Sequence, residues 1–313
     1  MKRTKRAYLW EFFKSSWTVL RYKFFRIKPR TDQIGKYKEI TMQKGSRAIE
    51  DAILKGEPFA AIRFGAVEIS AINNYEKIRF GFSRRYKKSV RYSIKNNAGV
   101  FPATDEIIEH YARYLENHLK ETDILGVSGV HMENYFFKNL TPNAIPVQNW
   151  SLDPILGKWT SLLRGKNVLV VSPFAKQIAE QYKKRHLLFA QEPEILPEFH
   201  LETVESVMSQ AEAHDERFEN WFEALDYLKL EILKKDFDIA LVGAGAYGTA
   251  LCLYIKSLGK MAIQTGGATQ LLFGIMGKRW EQRDYVSRFV NPHWTRPNLK
   301  PKGYTNIEEG CYW

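Results

Sequence analysis

The apolar run Ile239-Ala240-Leu241-Val242 leads directly into Gly243-Ala244-Gly245-Ala246-Tyr247-Gly248, and a helical stretch follows that stops at Gly259. A short, unbroken apolar run is the mark of a strand buried on both faces of a parallel sheet. Glycines at the spacing G-x-G-x-x-G let the backbone turn sharply from strand to helix and let a ligand approach it. Such a turn aims free N–H groups and the positive end of a helix dipole at whatever lies above it, which favours phosphate. The same glycines also serve a helix packed close on its strand with no ligand at all, so the motif alone leaves both uses open.

The rest of the chain repeats the pattern, and 313 residues are enough for one large or two modest domains. Phe59 to Arg63 reads as a strand that enters Phe64-Gly65-Ala66-Val67-Glu68 and a helix to Asn73. Open α/β sheets hold ligands outside the carboxyl ends of their strands, which is where Arg63 and Glu68 fall. Arg63 suits a phosphate; Glu68 suits a cation or a proton; a plain surface ion pair is the competing use. A strand over Ile124 to Val127 is followed by Ser128, Gly129 and His131, and His131 is a further polar candidate. Asn167 to Val171 is a strand, after which Ser172 and Pro173 fit the cap and first position of a helix running to about Arg185. Glu198, His200 and Glu202 alternate with Phe199 and Leu201, so in a strand they share one face, either as a metal or general-base cluster or as a solvated edge. Thr41 to Lys55, Asp105 to Lys120 and Glu212 to Lys235 read as helices, and Pro142 to Pro154 reads as a loop. Gly266 and Gly267 form a second small-residue turn, with Lys278 and Arg279 adding positive charge nearby. The last thirty residues lack periodicity and are expected to wrap over the body.

Alternating strands and helices predict an α/β fold with a Rossmann-like, mostly parallel sheet flanked by helices. An NAD site expects an acidic residue about 20 positions into the glycine motif to hold the ribose. Here the next strand ends in Gln264-Thr265, which disfavours an NAD(P)-dependent oxidoreductase and leaves it as the alternative. Cys252 and Cys311 give neither a disulfide framework nor a metal-ligand spacing, which fits a reducing cytosol.

A net charge of +12 suggests a nucleic-acid partner until it is located along the chain. Residues 1–30 hold ten basic residues against Glu11 alone and so carry +9 of the total. Within them Leu9, Phe13, Trp17, Leu20, Phe24 and Ile27 recur at spacings of three and four, the stripe of an amphipathic helix. Lys14 and Arg21 break the apolar content well short of a membrane span, and no cleavage site of a signal peptide follows. Aromatics flanked by Lys and Arg suit the interface between acidic headgroups and acyl chains, so residues 1–28 are expected to hold the chain on a membrane surface. Packing of the stripe on the body or on a partner is the competing reading, and no recognised module supports nucleic-acid binding.

Taken together, Ile62-Arg63-Phe64-Gly65-Ala66-Val67-Glu68 and the glycine-rich stretch from Val242 to Trp280 resemble bacterial glycosyltransferases of the GT-D fold, which act in surface-polysaccharide and adhesin glycosylation. That family's signature is a strand running into R-F-G-D-G-E, whose Asp-x-Glu helps hold a metal and the diphosphate of a nucleotide sugar. This chain has Ala66 at the Asp position. The resemblance covers about residues 57–313, which it marks as a GT-D-like domain; the charge and periodicity read above add a basic amphipathic membrane-associating helix over 1–30 and a linker and helix over 31–56. The resemblance implies a nucleotide-sugar donor, a glycan or lipid-linked acceptor, and a place in the cytoplasm on the inner face of the membrane. Arg63 would stabilise the leaving nucleotide, and Glu68, or else Glu198 or His131, would be the general base. Gly65, Ser172, Gly243, Gly245, Gly248 and Gly267 would cradle the diphosphate. Mn2+ or Mg2+ would rest on Glu68, or else basic groups would take the cation's place. Loss of catalysis with binding retained, giving a nucleotide-binding scaffold of a polysaccharide assembly, is the remaining reading of Ala66.

Overall fold

The computed structural model describes residues 3–213 and 215–313. Met1 and Lys2 of the basic segment, and His214 within the helix expected over 212–235, lie outside the described residues. A small antiparallel hairpin, β1 (Gln33–Ile34) and β2 (Tyr37–Lys38), precedes the main sheet. The main sheet comprises β3 (Ala60–Arg63), β4 (Ile124–Val127), β5 (Ile145–Gln148), β6 (Asn167–Ser172), β7 (His200–Glu205), β8 (Ile239–Val242) and β9 (Met261–Ile263). Its order is β5-β4-β3-β9-β8-β6-β7, and every pairing is parallel.

Side chains alternate across the strands, so each strand feeds two cores. Ala60, Ile62, Leu125, Leu169, Val171, Ala240 and Val242 belong to one; Ala61, Ile124, Val168, Val170, Ile239 and Leu241 belong to the other. Helices α1 (Lys5–Phe25), α3 (Ala66–Arg79), α4 (Lys88–Ser93), α5 (Asp105–His118), α6 (Glu133–Leu140), α9 (Trp221–Leu233) and α10 (Tyr247–Ser257) close the first core. The second is closed by α2 (Met42–Lys55), α7 (Ala175–Tyr182), α8 (Arg185–Leu188), α11 (Ala268–Leu272) and α12 (Asp284–Ser287). Ile49 and Ile53 of α2 are buried in that second core, so this helix is a layer of the α/β body.

Local chemistry sets the boundaries. Thr41 caps α2 by accepting the Lys44 N–H, and Gly56 ends it at φ +68°, where a side chain would be strained. The helix expected over 212–235 begins only at Trp221. Asn220 caps it there, and Glu223 reaches back to the Glu219 N–H at 2.8 Å. The loop expected over 142–154 contains β5. Its Pro146 cannot donate to a ladder, and β5 lies at the sheet edge, where proline is tolerated. Ser172 is the last residue of β6 rather than a helix cap; its Oγ accepts the Phe174 N–H at 3.2 Å, and α7 starts at Ala175.

From β3 the chain moves outward through β4 and β5, then crosses to the opposite half for β6 and β7 before β8 and β9 fill the gap. That reversal leaves a crevice above the carboxyl ends of β3, β9, β8 and β6.

The N-terminal helix has two apolar faces. Tyr8 is 1% exposed, and its hydroxyl donates to Asn73 of α3 at 2.6 Å. Arg3 pairs with Glu76 and Glu116, and Ser15 accepts the Met132 N–H in the turn after β4. The predicted stripe points the other way: Trp17 is 61% and Phe24 69% exposed, and Phe13 and Leu20 are exposed with them. No helix among the described residues is long and apolar enough to cross a membrane.

Candidate functional site

Four strand ends and the C-terminal segment enclose a cavity of about 280 Å³. Arg63 enters from the end of β3, Gly65 and Glu68 from the first turn of α3, and Ser172 from the end of β6. Gly243 and Gly245 enter from the turn after β8, and Gly267 from the turn after β9. The structure therefore brings together most of the residues singled out from the sequence.

Each glycine is held to its place by a close neighbour. A Cβ at Gly243 would strike Thr269 and come within 2.5 Å of the Gly266 carbonyl. Gly245 has φ +53°, and a Cβ there would lie 2.7 Å from Gln210 Nε2. The turn is tied down where Ala246 N–H donates to the Ala98 carbonyl. The N–H groups of Ala244, Gly245 and Gly267 find no acceptor among the described residues, so the cavity wall is rich in free donors. Gly248 does not line the cavity. It lets α10 pack against Gln264, whose Nε2 would be 2.7 Å from an added Cβ.

Gln264 also explains the missing acidic residue of a dinucleotide site. Its side-chain oxygen accepts the Arg63 N–H at 3.0 Å and the Thr249 hydroxyl at 3.1 Å, clamping β3 to β9 and α10. The Arg63 guanidinium lies over Gly266 and donates to the Gln264 carbonyl at 3.2 Å, while its Nε is enclosed with no partner among the described residues. Burial lowers the Arg63 pKa; Tyr312, Asp153 and Glu68 oppose that, and Arg279 adds to it. The Glu68 carboxylate folds back over Gly65, where a Cβ would collide with it. Burial raises the Glu68 pKa, offset in part by its own backbone N–H and by Arg63.

The aperiodic C-terminal segment forms the remaining wall, through Ile307, Glu308, Tyr312 and Trp313. It docks by backbone bonds from Lys278 N–H to the Trp313 carbonyl (3.0 Å) and from Arg279 N–H to the Cys311 carbonyl (2.9 Å). Arg279 pairs with Glu308 and donates to the Tyr312 hydroxyl at 3.3 Å. Sequence reading noted the charge of Arg279 but missed Gln210, Glu308 and Tyr312. The small residues Gly267 and Gly277 were the available signal, since a Cβ on either would run into Tyr312.

Besides Gly248, two expected residues lie elsewhere. His131 follows β4 at the same sheet edge but faces a separate cleft behind α1, 3.2 Å from Ser16 Oγ, and burial lowers its pKa. Glu198 precedes β7, at the amino end of the sheet, and pairs with Arg185 at 2.8 Å. Glu202 pairs with Lys235, so Glu198, His200 and Glu202 form no cluster. Glu198 is thereby removed as a base, because the sheet separates it from the cavity.

A divalent cation finds a poor set of donors. Ala66 offers no oxygen, Glu68 is folded onto its own helix start, and Glu308 is engaged by Arg279. Among the described residues no group of His, Cys, Asp and Glu side chains converges as a metal centre. The residues present do not fit a protein-held cation; two guanidinium groups face the space instead.

The family model for the GT-D fold-like domain matches residues 40–272. One solved structure, described as "The highly conserved domain of unknown function 1792 has a distinct glycosyltransferase fold", is 14% identical, with 72% of this chain and 80% of that chain covered and a TM-score of 0.42. A selenomethionine-substituted structure of that domain is also 14% identical, covers 72% of this chain and 81% of its own, and has a TM-score of 0.41. None of the curated proteins matches the sequence.

Proposed function

This chain belongs to the GT-D-like family, and on that premise we propose that it transfers a sugar from a nucleotide-sugar donor to a glycan or lipid-linked acceptor in surface-polysaccharide or glycoconjugate synthesis. The observation that carries the reading is the convergence of Arg63, Arg279 and the free N–H groups of two glycine turns on one cavity at the sheet's switch point. Preorganised donors of this kind stabilise charge that develops on a leaving diphosphate. Arg63 and Arg279 supply the positive charge that a cation would otherwise bring. Glu68 is the carboxylate placed to take a proton from an acceptor hydroxyl, and its burial, by raising its pKa above the ordinary carboxylate range, makes it a stronger base.

The exposed stripe of α1 supports a peripheral site of action on the cytoplasmic face of the membrane. Trp17, Leu20 and Phe24 are exposed beside Arg21, Lys23 and Arg26, while the opposite face of the helix is sealed on the body through Tyr8. Apolar aromatics with flanking cations complement an anionic bilayer. The enzymatic reading is tested by incubating the full chain with radiolabelled nucleotide sugars and a lipid-linked or glycan acceptor. Sugar transfer that Glu68→Gln abolishes is expected; donor binding without turnover on any acceptor would point to the scaffold.

A further inference from the structure

The cleft beside His131 encloses about 550 Å³, apart from the Arg63 cavity. Its walls are one flank of α1, the chain that leaves α1 through the β1–β2 hairpin, and the turn from β4 into α6. Arg26 ends α1 at φ +57°, and the returning chain packs Pro29 and Thr31 on Gly129, where a Cβ would lie 3.2 and 3.1 Å from them. The Ser15 hydroxyl accepts the Met132 N–H at 2.8 Å, and the Gly35 N–H donates to Asn134 at 2.9 Å. Helix and hairpin are thus both pinned to the body around this space.

The lining is strongly cationic. Lys14 and Arg21 come from α1, Lys28 and Arg30 from the returning chain, Lys38 from β2 and Lys138 from α6. The two carboxylates in the lining are already engaged: Glu11 by Lys138 at 2.9 Å and by Asn134, and Glu133 by the Ser128 and Gly129 N–H groups. Arg30 pairs with Asp32. Lys14, Arg21, Lys28 and Lys38 make no ion pair or side-chain hydrogen bond among the described residues. Like charges gathered from separate segments into one cleft repel each other and focus a positive potential there, which an anion relieves.

The neighbouring surface selects the anion. Trp10 and Lys14, and Trp17 and Arg21, are each four residues apart on α1, so the exposed aromatic stripe borders the cleft. A soluble anion would leave that stripe in water, whereas an amphiphile covers both. We propose that the cleft seats the phosphate headgroup of an anionic phospholipid, with the stripe through Trp10, Phe13 and Trp17 entering the acyl layer beside it. This rests on the membrane reading above and adds a defined lipid site to it.

Sedimentation of the full chain with phosphatidylcholine vesicles, with and without phosphatidylglycerol, tests it. Lys28→Gln with Lys38→Gln removes two exposed cations that α1 does not carry, and is expected to lower binding to the anionic vesicles roughly 25-fold, about fivefold per cation. Thr18→Trp keeps every charge, adds an aromatic and fills the cleft, so it should lower binding as well. Arg6→Gln with Lys23→Gln takes the same charge from exposed positions of α1 outside the cleft and should cost less. Equal losses for the two pairs, or undiminished binding in Thr18→Trp, would mean diffuse attraction and overturn the lipid site while leaving membrane association intact. Displacement of the wild type by inorganic phosphate, beyond that by chloride of equal ionic strength, would assign the cleft to a soluble anion and overturn it too. A wild-type chain that ignores phosphatidylglycerol would overturn both the site and the membrane reading.

Discussion

Arg279 and Glu308 give the sharpest test of how the site handles negative charge. In the free protein the Glu308 carboxylate occupies Arg279, so an incoming phosphate must compete with it. The pair is about one-third exposed on each side, with side-chain accessibilities of 38% and 34%. A pair this exposed is worth about 0.2–1 kcal/mol after solvent screening. Glu308→Gln removes that competition and is expected to strengthen nucleoside-diphosphate binding by at most about fivefold, since 1.4 kcal/mol is a factor of ten. Arg279→Gln removes a charge-assisted contact of about 1.5–3 kcal/mol and is expected to weaken binding by roughly 10- to 150-fold. The double variant should lie within about twofold of Arg279→Gln alone, because Arg279 is the cation that Glu308 holds and the other partners of Glu308, the Tyr312 hydroxyl at 3.3 Å and the Cys311 thiol, are uncharged. Calorimetry with UDP and GDP in EDTA reads all four proteins. Weaker binding in Glu308→Gln, or unchanged binding in Arg279→Gln, would refute the argument.

Other residues give independent tests. Glu68→Gln keeps a capping side chain at the third position of α3, so the fold should stand while transfer falls by about 10²- to 10⁴-fold. Because burial raises the Glu68 pKa, the wild-type rate should climb with pH through a value above the ordinary carboxylate range; a residual rate in the variant that climbs along the same limb would clear Glu68 of the role. Glu133 is buried beneath the Ser128 and Gly129 N–H groups, and burial pushes its pKa up to about 7 from 4.5. Its folded pKa is raised, so its stabilisation is complete below pH 4.5 and is lost as pH rises to about 7, by at most roughly 3 kcal/mol at 1.36 kcal/mol per pH unit. Urea unfolding at pH 5 and pH 8 should show that loss, and Glu133→Gln should flatten it; an equal slope in the variant assigns the loss elsewhere. For the membrane face, replacing Trp10, Trp17 and Phe24 by Gln should abolish sedimentation with anionic phosphatidylglycerol vesicles without loss of folding, since Trp10 is 72% exposed and the other two are exposed with it. Undiminished binding, or self-association without vesicles, would assign the stripe to another partner. Deletion of residues 1–28 is the poorer test, because it also removes Tyr8 from the core and Arg3 from the buried Glu76.

The parts of this molecule written in local pattern were legible before the structure. Buried strands such as 239–242 announce themselves by unbroken apolar runs, and the junction at Arg63 to Glu68 by its place after one. What failed was set by tertiary context. The stretch from Pro142 to Pro154 read as a loop, yet it holds β5, whose Pro146 is tolerated because the strand lies at the sheet edge. Glu198 alternated correctly for a shared face, but the start of β7 put it at the wrong end of the sheet. Periodicity carries no information about which end of a strand meets the ligand when the next helix is not recognised. The wall built by Glu308 and Tyr312 was invisible for another reason: an aperiodic segment reveals its position only through the glycines that make room for it. The two faces of α1 were hidden similarly, since composition shows both apolar sets without saying which one the body covers.

One titration is the most direct test of a sugar-nucleotide site: the full chain, in EDTA, against UDP- and GDP-sugars on one side and NAD and NADP on the other. One-to-one binding of at least one nucleotide sugar is expected, competed by pyrophosphate and lost in the Arg63→Gln, Arg279→Gln double variant. Binding of the dinucleotides alone, or nucleotide-sugar binding untouched by loss of both arginines, would contradict it.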